Sequence, residues 1–270
     1  GQFLLGNQLE GDSHLHGAGE QFLHAFLAKC FAKAPQLCRI ARPLVLEILV
    51  ARKVLPGGGL PPTLAHVLIA LIERMLEVAA RAPSGSNTQP WKAYVLTGNI
   101  KTRLSDEIMA VYKNKEKFEA LTEDYRYYPD IWESPYIERR RKVGLDLYKL
   151  LGLGRDDKAG MQAQHGRNYL FFDAPVGIIF TMDRTMNTGS WLDFGCFLQN
   201  FMVAARAREM DTCAQAAFNR FHPVIRQVTG IPESEIVICG LALGFADYSR
   251  IENSLISERE PVSGFAKFLE

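Results

Sequence analysis

Apolar residues recur at spacings of three and four from Leu64 to Ala82, placing Val67, Leu68, Leu71, Met75, Leu76 and Ala79 on one stripe. That spacing predicts a helix with one buried face. Ala93 to Leu96 is short and apolar and predicts a strand, and Ile100 to Lys117 predicts an amphipathic helix. Residues 118–139 are aromatic and irregular: Phe118, Tyr125, Tyr127, Tyr128, Trp132 and Tyr136 are interrupted by Pro129 and Pro135. Helices are predicted over Arg139–Leu151 and Arg155–Phe171, and a buried strand over Val176–Met182. The longest predicted helix runs from Ser190 to Arg208, with Ser190 as its cap and Asp193 closing a capping box. A short helix over Pro223–Thr229 and a second apolar strand over Ile236–Phe245 follow. Gly240 and Gly244 inside that strand predict close backbone approach. Helices thus alternate with few, well-separated strands, which predicts a central sheet with helices packed around it.

The first 60 residues read differently. Gly1 to Gly19 is rich in Gly and His with little periodicity, and a helix over Glu20–Ala34 is followed by the breakers Pro35 and Pro43. Pro56, Gly57-Gly58-Gly59, Pro61 and Pro62 predict a flexible connector. The chain therefore divides into an atypical segment, 1–60, poorly ordered or aberrant, and a main domain, 61–270.

Composition narrows the function classes. Hydrophobic residues are 47% and charged residues 23%, ordinary for a globular protein. A net charge of +1 argues against a general nucleic-acid or membrane-surface binder. No apolar run reaches the roughly 18 residues that a bilayer span needs. Five cysteines, without a CxxC pair, suit reduced thiols and a cytoplasmic location. His14, His16, His24, Cys30 and Cys38 fit no zinc spacing, so no metal is expected. Gly152-Leu153-Gly154-Arg155-Asp156-Asp157 lacks the third glycine of a dinucleotide fingerprint and follows a helix, and no GxSxG motif occurs.

One stretch stands out chemically: Ala82-Pro83-Ser84-Gly85-Ser86-Asn87-Thr88-Gln89-Pro90-Trp91. Pro83 stops the preceding helix. Ser84, Gly85 and Ser86 leave backbone amides uncovered, Asn87 and Gln89 carry carboxamides that donate and accept, and Trp91 adds an aromatic wall. Such a loop suits a planar heteroaromatic ligand rimmed with N–H and C=O groups. Composition alone favours an ordinary Ser/Gly/Asn turn beside a buried Trp.

The same loop resembles the flavin-contacting loop of the nitroreductase family, the FMN-dependent NAD(P)H oxidoreductases. Four later segments resemble that family in the same order: Phe172-Asp173-Ala174-Pro175, Gly189-Ser190-Trp191-Leu192-Asp193, Asp211-Thr212-Cys213-Ala214-Gln215-Ala216-Ala217, and Ile238-Cys239-Gly240-Leu241-Ala242-Leu243-Gly244. The chain is most similar to the branch that includes nitrobenzoate reductases. The resemblance implies an α+β fold, with an antiparallel-dominated sheet surrounded by helices, in an intertwined homodimer whose C-terminal tails cross over. It implies FMN as cofactor, NAD(P)H as co-substrate, and a nitroaromatic or quinone substrate reduced on the same flavin face in a ping-pong cycle.

It also implies site residues. Pro83, Ser84, Gly85 and Asn87 would contact the ring or ribityl chain, partly from the other subunit. Gln215 and Ala216 would face the flavin N5 and O4, Arg167 and Asn168 would contact cofactor, and Arg259 would grip the phosphate. No side chain is assigned a catalytic role. Tyr128, Trp132 and Tyr136, with Tyr127, would shape a flat aromatic substrate slot, and Arg139 to Arg141 would attract a carboxylate.

The chain departs from the family at one place. An Arg-Arg-Ser-x-Arg run normally precedes the Pro-Ser loop, but residues 51–61 here read Ala-Arg-Lys-Val-Leu-Pro-Gly-Gly-Gly-Leu-Pro. Arg52 and Lys53 are the substitutes on offer. Losing one or two charge-assisted phosphate contacts would cost roughly 1.5–3 kcal/mol each. Two rival expectations follow: a degenerate, non-enzymatic flavin-binding homologue, or a reductive dehalogenase-type enzyme on the same fold.

Overall fold

The computed structural model describes residues 62–270. Four strands form one fully antiparallel sheet in the order β1-β2-β4-β3: β1 is Trp91–Leu96, β2 Val176–Asp183, β3 Asp211–Gln215 and β4 Glu235–Gly244. Eight α-helices surround it among the described residues: α1 Pro62–Ala79, α2 Gly98–Tyr112, α3 Lys115–Glu119, α4 Tyr136–Leu150, α5 Lys158–Gly166, α6 Thr188–Arg206, α7 His222–Thr229 and α8 Val262–Phe265. The architecture is the α+β one expected from the sequence.

Both faces of the sheet are covered, which is why β2 and β4 read as near-continuous apolar runs. On one face Ile178, Phe180 and Met182 of β2 pack with Leu71, Ile72 and Met75 of α1 and with Phe194, Phe197 and Phe201 of α6. On the other, Ile179 of β2 packs with Leu104 and Ile108 of α2 and Ile225 and Val228 of α7. From Leu68 onward the three-and-four stripe predicted for the first helix is the face that α1 buries, with Leu68, Leu71, Met75 and Ala79 inside and Leu76 at its edge.

Several boundaries differ from the sequence expectations. The first helix ends at Ala79 rather than Ala82, and the helix expected over Ile100–Lys117 is two, α2 and α3. The helix expected over Arg155–Phe171 is α5 followed by a 3-10 turn, Arg167–Asp173. Strand β3 was not anticipated from the sequence at all. The helix over Glu20–Ala34, the segment 1–60 and its His and Cys residues lie outside the described residues.

The 3-10 turn ends in three left-handed residues, Phe171, Phe172 and Asp173, with φ of 54°, 51° and 64°. Each such residue costs about 1–3 kcal/mol and persists only where packing over-determines it. Here the packing is aromatic. Phe171 is fully buried and stacks on Phe218, with ring centroids 4.6 Å apart. Two glycines make room: a Cβ on Gly177 would come within 2.6 Å of the Phe171 ring, and one on Gly240 would overlap the Phe218 ring. At Gly244 a Cβ would stand 2.9 Å from Pro175. The close approach predicted at Gly240 and Gly244 is therefore present.

Candidate active site

The loop after α1 is built on strained backbone and on one long-range bond. Ser86, Asn87 and Gln89 are left-handed, with φ of 51°, 60° and 47°. Their conformation keeps the Gly85–Asn87 turn tight, and the Ser84 hydroxyl accepts from the Gln89 N–H at 3.1 Å. The Gly85 N–H donates to Asp193 Oδ2 on α6 at 3.1 Å. This corrects the capping box. Helix α6 starts at Thr188 after Asn187, and no side chain caps it. Ser190 instead contacts the Met186 sulfur, and the Asp193 carboxylate holds the loop across 108 residues of sequence.

A second cluster joins the 3-10 turn to the end of β3. Gln215 is almost fully buried, and its Nε2 donates to the Asn168 carbonyl at 2.7 Å and to Asn168 Oδ1 at 3.3 Å. Gln215 Oε1 is buried and has no hydrogen-bond partner among the described residues. Ala216 opens the 3-10 turn Ala216–Phe221 directly after it. Arg167 forks two carboxylates, Asp173 at 3.0 Å and Glu252 at 3.1 Å, so its guanidinium fixes both the strained turn and the chain after β4.

The aromatic segment is rooted in the sheet. Strand β4 has a bulge at Ile238, opposite Phe180 and Thr181 of β2. A bulge leaves backbone groups unpaired, and the Tyr125 hydroxyl donates to the Ile238 carbonyl at 2.6 Å. Asn219 Oδ1 accepts from the Asp124 and Tyr125 amides, and its Nδ2 donates to the Tyr125 carbonyl. From that root the rings run outward. Tyr125 packs on Trp191 of α6 at 4.6 Å, Tyr127 on Tyr128 at 4.6 Å, and Tyr128 on Trp132 at 5.2 Å. Trp191 lies two residues before Asp193, so one helix end supports both the Pro-Ser loop and the root of the aromatic segment.

Asp124 anchors a buried ionic network beneath this root. It accepts from Arg184 at 2.7 Å, Arg226 at 3.1 Å and the Val237 N–H at 2.8 Å. Burial opposes its charge, but those bonds outweigh burial and hold its pKa below the usual value. Glu235 behaves alike: burial is overcome by Lys92, Thr181 and Tyr94. His222 Nδ1 lies 2.6 Å from Arg226 Nη1. A guanidinium only donates, so this nitrogen accepts and the imidazole is neutral. The 4.0 Å approach of Asp124 to the same nitrogen is thus not an ion pair. Burial is the main cause lowering the His222 pKa.

A pH dependence follows. A histidine whose folded pKa is depressed contributes stability that is whole above its unfolded value of about 6.5 and is lost as pH falls through the interval below it. Asp124 and Glu235, also depressed, keep their contribution until pH falls below about 4. Melting temperature should therefore decline in two stages on acidification. Burial lowers the His165 pKa as well, so it contributes to the same first stage. His222→Gln should reduce that stage without abolishing it, and an unchanged profile in that variant would remove His222 as a source.

The predicted site residues thus fall into separate groups. Ser84, Gly85 and Asn87 share the loop held by Asp193, while Arg167, Asn168, Gln215 and Ala216 form one connected cluster. Among the described residues no hydrogen bond joins those two groups. Arg259 lies in the exposed tail, bonded locally to Ser257 and the Glu258 carbonyl. Tyr128 and Trp132 share a ring cluster, and Tyr136 opens α4 with Arg139 over its ring. Arg52 lies outside the described residues. Sequence reasoning missed the roles of Asp193 and Asp124, whose partners are far away along the chain.

The sequence profile of the nitroreductase family matches residues 69–245. The chain belongs to the nitroreductase family. It is 42% identical over 203 residues to a 4-nitrobenzoate reductase of Nocardioides sp. (strain LMS-CY), covering 73% of this chain and 80% of that protein. It is 38% identical over 203 residues to a chloronitrobenzene nitroreductase of Comamonas testosteroni, covering 75% and 88%. Its fold is similar to the crystal structure of the FMN and NADPH-dependent nitroreductase NfnB from Sphigopyxis sp. strain HMH, with a TM-score of 0.72 and 31% identity over 83% of this chain and 98% of that one. The resemblance noted in the sequence therefore holds through the matched region of this nitroreductase-family chain. No helix among the described residues is long and apolar enough to cross a membrane.

Proposed function

We propose that this nitroreductase-family chain is an FMN-dependent oxidoreductase that uses NAD(P)H to reduce nitroaromatic substrates, nitrobenzoates among them. The observation that carries the reading is the exposed Pro-Ser loop, whose left-handed residues Ser86, Asn87 and Gln89 and the Gly85–Asp193 bond hold its open backbone in a tight turn. Open backbone, hydroxyls and carboxamides suit a flat ligand rimmed with N–H and C=O groups, and a flavin is such a ligand. When bound, FMN supplies the hydride chemistry, as an electron relay between NAD(P)H and the nitro group.

The protein's own part is to hold and orient. Gln215, Ala216 and Asn168 present amides to one edge of the ring, and Arg167 fixes the turn that carries Asn168. Pro83, Ser84, Gly85 and Asn87 form a second rim, with open backbone kept in place by Asp193. Arg259 and Arg52 take the phosphate. Tyr128, Trp132 and Tyr136 shape the slot for a flat substrate. No side chain serves as nucleophile.

The reading includes a homodimer. Its support is that the two rims are not bonded to each other within one chain, and that large apolar side chains stand exposed on α6 (Leu192, Val203) and along the tail (Ile256, Phe268, Leu269). A second copy would cover them and bring a second loop to each site. A cytoplasmic location is supported by the free thiols Cys196, Cys213 and Cys239.

Titrating the purified full chain with FMN tests the reading. We expect a yellow complex absorbing near about 450 nm, bleached by NADPH and restored by nitrobenzene. A chain that takes up no FMN overturns it in favour of a degenerate homologue. A bleached flavin that nitroarenes leave bleached, but a haloarene reoxidises, points to the dehalogenase-type alternative.

A further inference from the structure

The basic run Arg139 to Lys142 lies on α4, and the structure divides its four cations. Arg139 pairs with Glu260 of the tail. Lys142 pairs with Asp146 at 2.7 Å and Glu258 at 3.2 Å. Arg140 is held differently. Its guanidinium lies over the ring of Trp132, 4.8 Å from the centroid, and over that of Tyr128 at 5.4 Å. Among the described residues no carboxylate pairs with it.

That arrangement leaves a specific capacity. Stacking occupies the face of a guanidinium, whereas its five N–H donors lie in the plane and remain open. The planar fork matches a carboxylate in a two-bond contact that an ammonium cannot reproduce. The rings also fix the fork's orientation, so less side-chain freedom is lost when an anion binds. Arg139 and Lys142 are already neutralised by acidic partners and compete little for the same anion, whereas Arg141 is exposed and, among the described residues, neither paired with a carboxylate nor set over a ring, which makes it the comparison for a merely basic surface.

Position links this cation to the proposed site. Arg140 lies on Trp132 and Tyr128, Tyr128 packs on Tyr127, and Tyr127 neighbours Tyr125 at 6.4 Å. Tyr125 contacts Trp191, on the same helix end as the Asp193 that holds the Pro-Ser loop. A file of ring contacts thus runs from Arg140 to Trp191, on the helix end whose Asp193 holds the loop.

We propose that Arg140 is the specificity-determining residue of the aromatic slot, forking the carboxylate of a nitrobenzoate-class substrate whose ring lies against Tyr128 and Trp132. The assignment rests on the reading of the chain as a nitroarene reductase. It explains why one arginine of the run lies over slot residues while Arg139 and Lys142 pair with the tail and with Asp146.

The test compares kcat/KM of the FMN-loaded enzyme, with NADPH, for 4-nitrobenzoate and for nitrobenzene. The readout is the ratio of the two, which cancels general damage to the slot. In Arg140→Met the ratio should fall by about tenfold or more, as loss of a charge-assisted contact requires. Arg140→Lys should retain part of the preference, and Arg141→Met should leave the ratio near its wild-type value. A fall smaller than tenfold in Arg140→Met, or an equal fall in Arg141→Met, overturns the assignment. If the wild type turns over neither compound, the functional reading fails on its own account. Benzoate binding by calorimetry then decides Arg140, and equal affinity in wild type and Arg140→Met overturns it.

Discussion

Asp124→Ala should lower the melting temperature by about 6–20 °C. The figure follows from geometry. Asp124 and Arg226 side chains are 4% and 6% exposed, so the pair is nearly sealed from water. Removing one partner of such a pair costs about 3–5 kcal/mol, because the remaining charge stays buried without compensation. For a chain of this size each kcal/mol shifts the melting temperature by about 2–4 °C. Three donors lose their acceptor together: Arg184, Arg226 and the Val237 amide. Among the described residues Arg226 then keeps only the Glu235 carbonyl, His222 and the exposed Glu233 carboxylate as partners. Asp124→Asn should lose less, since an amide oxygen still accepts. The double variant Asp124→Leu/Arg226→Met should recover part of the loss by removing both charges. A melting temperature for Asp124→Ala within 2 °C of wild type, roughly the effect of one kcal/mol or less, would show that the network does not anchor the fold. The same variant should loosen the aromatic segment, because Asp124 and Tyr125 are its root.

The parts of this molecule legible in the sequence are those whose cause is local. Helix α1 shows in its three-and-four stripe, and β2 and β4 show in apolar runs that two covering layers demand. The Pro-Ser loop shows because proline, small residues and carboxamides each leave a chemical mark. Strand β3 does not show. Asp211-Thr212-Cys213-Ala214-Gln215 has no alternation and one β-branched residue, so its extended form comes from pairing with β4 and not from propensity. The split after α5 is equally silent, because no local rule places two phenylalanines in left-handed backbone. The Ser190–Asp193 pattern misleads for a related reason. Its spacing fits a capping box, yet the carboxylate serves Gly85, a partner that only the folded chain brings near. What decides the site are contacts between residues 47 to 113 positions apart, and these leave no periodic trace.

Gly240→Ala should both destabilise the protein and weaken cofactor binding, although Gly240 carries no polar group. A Cβ there would overlap the Phe218 ring. That ring cannot swing aside. It is fully buried, stacked on Phe171 at 4.6 Å and met edge-on by Tyr169 at 5.8 Å. Phe171 in turn stands against Gly177 and is fixed by its left-handed turn. Overpacking of this kind costs about 1–3 kcal/mol, or about 2–12 °C in melting temperature. The functional effect travels with the ring. Phe218 belongs to the turn that begins at Ala216, one residue after Gln215. Phe171 belongs to the turn that carries Asn168, the hydrogen-bond partner of Gln215. Pushing Phe218 outward therefore moves both proposed cofactor contacts. FMN affinity, read by titration, should fall even at temperatures where Gly240→Ala remains folded. Gly240→Ala/Phe218→Leu should regain much of the melting temperature, since the smaller side chain makes room for the methyl group. It should not regain full affinity, because the stack that orients the Gln215–Ala216 turn is then lost. Wild-type stability and wild-type FMN affinity in Gly240→Ala together would mean that the Phe171–Phe218 stack yields freely and does not position the turn.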